Sequence, residues 1–222
     1  MYRDLSHRIE TGMQTYPGDP DVTVSQAATV SADGAAVLEV HCGSHTGTHV
    51  DAPSHTEPDG DDLEDRDVGE FVLETRFVDL APCSPRERIG LDAIPVDLGD
   101  AGDPVDLLVV RTGYDEHWGS DDALDHPYLS PAVARTLREA GCGVGTDTLN
   151  PDPTPTENAG EDEPEGFPVH RELLGAGLPI VENLANLEGL PERFRLYAFP
   201  LPLADADGAP VRAVAELEHS RS

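Results

Sequence analysis

The stretch His45-Thr-Gly-Thr-His49-Val-Asp51-Ala-Pro-Ser-His55 constrains the fold more than any other part of the chain. A helix is disfavoured, because Gly47 and Pro53 interrupt it and Thr46, Thr48 and Val50 are β-branched. Read as a strand, the segment sends alternate side chains to opposite faces, so His45, Gly47, His49 and Asp51 share one face. Two imidazoles and a carboxylate then converge. Gly47 leaves space between them where an ion or a substrate must come close. Such a donor set suits Zn²⁺ or Mn²⁺. His55 lies past Pro53, off the strand, where it can face an ion without binding it. The competing reading is a polar strand with chance histidines, and four ionisable groups in one short segment weigh against it.

Around this segment the chain alternates strand and helix signals. Residues 3–9 read as a first short strand, closed by the turn Tyr16-Pro-Gly-Asp-Pro20. Residues 22–28 and 35–41 read as strands leading into the histidine strand, residues 59–67 as an acidic loop, and residues 71–80 as a further strand. Asp106-Leu-Leu-Val-Val-Arg111 is a short continuous apolar run, as in a buried central strand. Ser130 and Pro131 form an N-cap and first helical position, residues 132–140 the helix body, and Gly141 its left-handed end. Residues 143–148 predict a strand, and 150–168, rich in Pro, Asp and Glu, an exposed loop or flap. Residues 170–175 predict one or two helical turns, and 179–184 and 195–203 two more strands. The class is mixed α/β. With 222 residues, one domain is expected.

Composition excludes several partners. The formal net charge is -30, from 44 acidic residues and 14 basic ones, all of them arginine. That field repels nucleic acid and anionic membranes. A hydrophobic content of 38% argues for a folded chain rather than a disordered one. The charge reads as a surface adapted to molar salt, hence a high-salt cytoplasm. Cys42, Cys83 and Cys142 are odd in number and show no CxxC spacing, as in a reducing compartment. Cys42 is out of phase with the histidines and reads as a small buried hydrophobe. The start Met1-Tyr-Arg-Asp-Leu lacks the apolar segment of a signal peptide, and no run is long enough for a membrane span.

Two further candidates lie downstream. Glu182 sits within the apolar strand 179–184, where a carboxylate is costly unless paired or metal-bound. A ligand, a salt bridge and a solvated edge are all open for it. His170 opens a short helix, and ligand and packing roles are both open there. His7, His41, His117, His126 and His219 have no comparable context and read as surface or packing residues.

The segment His45–His55 matches HxGTHxDxPxH and resembles the cyclase family of metal-dependent hydrolases, which includes bacterial kynurenine formamidases and isatin hydrolases. Asp4-Leu-Ser, Tyr16-Pro-Gly-Asp-Pro20, Arg111-Thr-Gly113, Gly145-Thr-Asp-Thr148, Pro179-Ile-Val-Glu-Asn-Leu184, Phe199-Pro-Leu-Pro-Leu203 and Pro210-Val-Arg-Ala213 extend the likeness nearly end to end. The resemblance implies a compact swivelling β/β/α domain with a two-metal site. It implies that His45, His49 and Asp51 hold one ion, that Asp51 bridges to a second held by His170 and Glu182, and that His55 is the acid/base. It further implies an amide substrate, foremost N-formylkynurenine, and a homodimer or higher homo-oligomer; Tyr16, at the opening turn, is a candidate to stack on an aryl ring, with a packing tyrosine at a turn as the alternative. Asn150 departs from the serine expected there, and the acidic, proline-rich run after it is divergent, so substrate access is where the chain differs. An isatin-like lactam is the neighbouring substrate reading, and a non-catalytic metal-binding protein the reading from another class. A closed storage site would have no use for the unliganded His55.

Overall fold

Central strands with no polar interruption set the architecture. The computed structural model describes residues 1–94, 98 and 104–217. Its strands are β1 (Tyr2–Asp4), β2 (Thr23–Ala28), β3 (Val37–His41), β4 (His49–Asp51), β5 (Val72–Asp79), β6 (Arg88–Ile89), β7 (Leu107–Arg111), β8 (Tyr128–Leu129), β9 (Gly143–Thr146), β10 (Ile180–Glu182), β11 (Arg193–Tyr197), β12 (Gly208–Pro210) and β13 (Val214–Glu216). The helices are α1 (Val30–Asp33), α2 (Pro131–Ala140) and α3 (Pro168–Leu174). Nine strands form one sheet in the order β1-β13-β11-β5-β7-β9-β10-β4-β12. The run β5-β7-β9-β10 is parallel, and the flanking pairs are antiparallel.

The strand expected at 106–111 is β7, at the centre of this sheet. Leu107 and Val109 face one core with Leu73, Leu184 and Leu196, while Leu108 and Val110 face a second. That second core is closed by Val133 and Leu137 of α2 and Val169 and Leu173 of α3. Burial on both faces is why β7 shows no alternation. Helix α2 has the expected ends: Ser130 Oγ accepts from the Val133 N–H, and Gly141 adopts φ 70. Among the described residues no helix is long and apolar enough to cross a membrane.

Several boundaries differ from the sequence expectation. The histidine strand is shorter than 45–51. Gly47 takes φ 62, left-handed backbone that breaks extension, so only His49–Asp51 is strand. The strands expected at 22–28 and 35–41 do not continue into it but pair with each other as a separate, largely exposed ribbon. The first strand ends at Asp4, because the buried Leu5 turns its N–H to the Ala213 carbonyl and its carbonyl to the Ala185 N–H. The strand expected at 195–203 stops at Tyr197, ahead of Pro200 and Pro202. The strand expected at 143–148 stops at Thr146, and Asp147 turns its carboxylate to the Thr112 and Gly113 N–H groups. The segment 150–168 divides in two. Asn150, Asp152 and Thr154 are buried, whereas residues 157–162 are mostly exposed. Arg86 ties the segment down through Asp125, Thr156 and Glu163. Cys42 is half-buried rather than buried. His126 is a packing histidine, bonded to Thr154 Oγ1 and the Pro127 carbonyl, and burial lowers its pKa to about 4. His219 lies outside the described residues.

Candidate metal centre

Strand register assembles the site. β4 lies between β10 and β12, with His49 opposite Glu182 and Asp51 opposite both Ile180 and Gly208. Directly opposed residues send their side chains to the same face, and Asp51 lies two positions along from His49. His49, Asp51 and Glu182 therefore meet on one side of the sheet. His170 comes from the first turn of α3, and His45 from the turn that precedes β4. The structure thus brings together all five residues expected to bind metal, but His45 arrives from a turn and not from the strand. Ligand-capable atoms of His45, His49 and Asp51 lie within 4.8 Å of one another, and so do those of Asp51, His170 and Glu182.

Each ring is aimed by its second nitrogen. His49 Nδ1–H donates to the Gly47 carbonyl at 2.8 Å, which turns Nε2 toward Asp51 Oδ1 at 3.3 Å and Glu182 Oε2 at 3.2 Å. His170 Nδ1–H donates to Asp152 Oδ2 at 2.8 Å, so its Nε2 faces Glu182 Oε1 at 3.1 Å and Asp51 Oδ2 at 3.6 Å. His45 lies 2.8 Å from Asp51 Oδ1 through Nδ1 and 3.1 Å from Asp207 Oδ2 through Nε2. The left-handed turn at Gly47 is needed for this. It carries the carbonyl that receives both His49 and the Asn183 amide, and a Cβ there would lie 3.0 Å from Met13 Cε.

The electrostatics are those of an ion-binding cluster. Burial by itself would lower the pKa of His45, but hydrogen bonds with Asp207 and Asp51 outweigh it and raise the pKa to about 9. Burial is likewise overcome at His49, where Asp51 and Glu182 raise the pKa well above the usual imidazole value. At His170, Asp152 and Glu182 raise it to about 10 against burial. The same pairings hold Asp51 and Glu182 below the usual carboxylate range, against burial and, at Glu182, against the charge of Asp51. Even so, His49 Nε2, Asp51 Oδ2 and Glu182 Oε1 are buried with no hydrogen-bond partner among the described residues. Orphaned buried polar atoms are expensive. Three of them, on three of the five cluster side chains and with nitrogen and carboxylate donors, fit a divalent cation.

Four members of the cluster, His45, His49, His170 and Glu182, line the floor of a cavity of about 240 Å³, together with Tyr16, His55, Asn150, Phe167 and Asn183. His55 sits in the short helical turn Pro53–His55, its ring 5.7 Å from that of His170. Tyr16 and Phe167 are neighbours in the lining, their ring centroids 6.3 Å apart and tilted by 57°. Asn150 folds back onto its own turn: its Oδ1 accepts from the Asp152 N–H at 2.8 Å and its Nδ2 donates to Thr154 Oγ1 at 3.0 Å.

Two carboxylates of the site are absent from the sequence reading. Asp152, fully buried, accepts from the Val169 and His170 N–H groups as well as the His170 ring, so it fixes α3 and its histidine together. Seventeen residues separate it from Val169, and no local signal connects them. Asp207 lies next to Gly208 and reads in sequence as a turn residue. It lies within 3.4 Å of His55 Nδ1 as well as 3.1 Å of His45 Nε2.

Comparison with known proteins gives consistent relatives. The family described as Putative cyclase matches residues 3–153. A kynurenine formamidase of Geobacillus thermodenitrificans is 30% identical over 95% of this chain and 94% of its own length. One from Salinibacter ruber is 30% identical over 95% of each chain. The crystal structure of an isatin hydrolase bound to the product analogue thioisatinate superposes with a TM-score of 0.84, covering 98% of this chain and 92% of that one at 23% identity. That likeness describes the fold.

Proposed function

The chain belongs to the putative cyclase family and is a metal-dependent hydrolase, and from that premise we propose that it is an arylformamidase, converting N-formylkynurenine to kynurenine and formate. One observation carries the reading: four residues of the five-residue cluster with its orphaned atoms line the floor of a cavity that also presents an unliganded histidine and two aromatic rings. The relatives named kynurenine formamidase support the choice of substrate.

In this reading His45, His49 and Asp51 hold one divalent ion, Zn²⁺ or Mn²⁺, and Asp51, His170 and Glu182 hold a second. When bound, such ions polarise a carbonyl and lower the pKa of water toward neutrality. The chain's own groups do the rest. His55 takes the proton of the attacking water and delivers it to the departing nitrogen, which leaves as a neutral arylamine only when protonated. Tyr16 and Phe167 hold the aryl ring so that the formyl carbon is presented to the floor. Asp152 keeps the His170 ring in one tautomer.

The test is a pair of assays on metal-loaded protein in molar salt. Efficient hydrolysis of N-formylkynurenine with little turnover of isatin supports the reading. The reverse result transfers the site to lactam hydrolysis. Inertness toward amides and esters alike, with metal bound, would favour a non-catalytic metal protein.

A further inference from the structure

We infer that Asp207 is a positioning residue: a single carboxylate oxygen fixes the ring tautomers of both a metal-binding histidine, His45, and the proton-transfer histidine, His55. The inference rests on the reading above for the roles of those two rings and adds the group that couples them.

Both contacts go to the same atom. Asp207 Oδ2 lies 3.1 Å from His45 Nε2 and 3.4 Å from His55 Nδ1. The two ring centroids lie 4.0 Å apart, with the planes tilted by 42°. A carboxylate oxygen only accepts, so each ring must place an N–H toward it. His45 Nδ1 also faces a carboxylate, Asp51 Oδ1 at 2.8 Å, so in the metal-free site both of its nitrogens carry a proton; with an ion bound at Nδ1, the Nε2–H toward Asp207 is the one that stays. His55 keeps Nε2 as its free nitrogen. A neutral imidazole has one donor and one acceptor nitrogen, so one carboxylate decides which atom of each ring is available. The arrangement resembles the carboxylate–histidine pairing that orients ligands at metal sites, extended here to a second ring that binds no ion in this reading.

The backbone holds Asp207 in place. Its carbonyl accepts from the Ala52 N–H at 2.8 Å, and the next residue, Gly208, is in register with Asp51. A Cβ at Gly208 would lie 2.6 Å from His45 Cε1, so the ring packs against bare backbone. Asp207 therefore reaches the two rings from an edge strand fixed to the same segment that bears Asp51. The side chain itself is half-exposed, at 44%. This makes its direction the important property, since an exposed charge alone contributes little.

Three variants of the full chain test this: Asp207→Ala, Asp207→Asn and Asp207→Glu. Zn²⁺ affinity is measured against a competing chelator, the ions per chain are counted, and kcat and KM for N-formylkynurenine are measured at saturating Zn²⁺. The expected result for Ala is an unchanged ion count, with Zn²⁺ affinity and kcat each reduced about 10- to 100-fold and KM nearly unchanged. Asn and Glu, which each keep an accepting oxygen, should retain most of both. Unchanged affinity and kcat in Asp207→Ala would overturn the inference. So would loss of an ion from the count, which would make Asp207 a ligand, or a rise in KM alone, which would make it a substrate contact. Should the Ala variant fail to fold, judged by circular dichroism, Asp207→Leu, which likewise offers no acceptor, carries the comparison with Glu. The Zn²⁺ arm needs no substrate. A wild-type protein inert toward N-formylkynurenine would refute the arylformamidase reading, while the affinity arm would still decide whether Asp207 orients His45.

Discussion

Loading the metal-free protein with both of its divalent ions should expel close to three protons per chain at pH 7. In the metal-free cluster His45 titrates at about 9, His170 at about 10 and His49 well above the usual value. All three imidazoles are therefore charged at neutral pH, and each must be neutral to donate to a metal. Three displaced protons make the overall binding constant for the two ions steeply dependent on pH, on the order of 10³-fold between pH 6 and 7, ten per proton per unit. Titration calorimetry in buffers of different ionisation enthalpy reads the number directly as the slope of observed enthalpy. A slope near zero, or an affinity flat with pH, would refute the cluster's charge state. The same pKa values carry a stability consequence with a definite sign. They are raised above the unfolded value near 6.5, so the stabilisation is complete below pH 6.5 and is lost as pH rises through 9 to 10. The full effect is on the order of 3 kcal/mol for His45 and 5 kcal/mol for His170. Metal-free protein should thus melt at a lower temperature at pH 10 than at pH 7, and metal-loaded protein, its imidazoles already neutral, should lack that loss.

His55→Ala should retain metal and lose about 10²- to 10⁴-fold in kcat; a variant that turns over normally, or fails to bind metal, means the role is misassigned. Asp51→Ala removes the carboxylate shared by the His45–His49 and His170–Glu182 groups, and metal analysis should find neither ion. Gly208→Ala places a methyl 2.6 Å from His45 Cε1, so the ring must shift and metal affinity should drop about tenfold or more with the fold retained; chelator competition and circular dichroism check the two halves. With 44 acidic residues against 14 arginines, self-repulsion should weaken as the Debye length shortens from about 10 Å at 0.1 M to about 3 Å at 1 M salt. Melting midpoints should therefore rise along a KCl series, and a flat series would remove the salt-adapted reading of the surface.

Local chemistry decided several features without help from the rest of the chain. Ser130, Pro131 and Gly141 delimit α2 because a cap, a preset φ and a left-handed terminus act within a few residues. The apolar run of β7 states its own burial on both faces. The spacing of His49 and Asp51 places both on one face of a strand, whatever the strand pairs with. Other features depended on partners far away in sequence. Gly208-Ala-Pro210 has no strand propensity of its own and is a strand because β4 needs a neighbour on that edge. Asn150, Asp152 and Thr154 are polar and read as solvated, yet they are buried because Asp152 satisfies the first turn of α3 and the His170 ring. His45 was assigned to the right cluster by the wrong local geometry: Gly47 ends the strand, and the turn, not the alternation, delivers the ring. Asp207 is 162 residues from His45 and 152 from His55, a separation that only the pairing of β12 with β4 closes. Residue types and short-range periodicity fix which groups are available for chemistry, since those depend on covalent structure and neighbouring dihedrals. Which second nitrogen each histidine spends on a partner is fixed by strand register and packing, because hydrogen-bond direction depends on positions that only the folded chain defines.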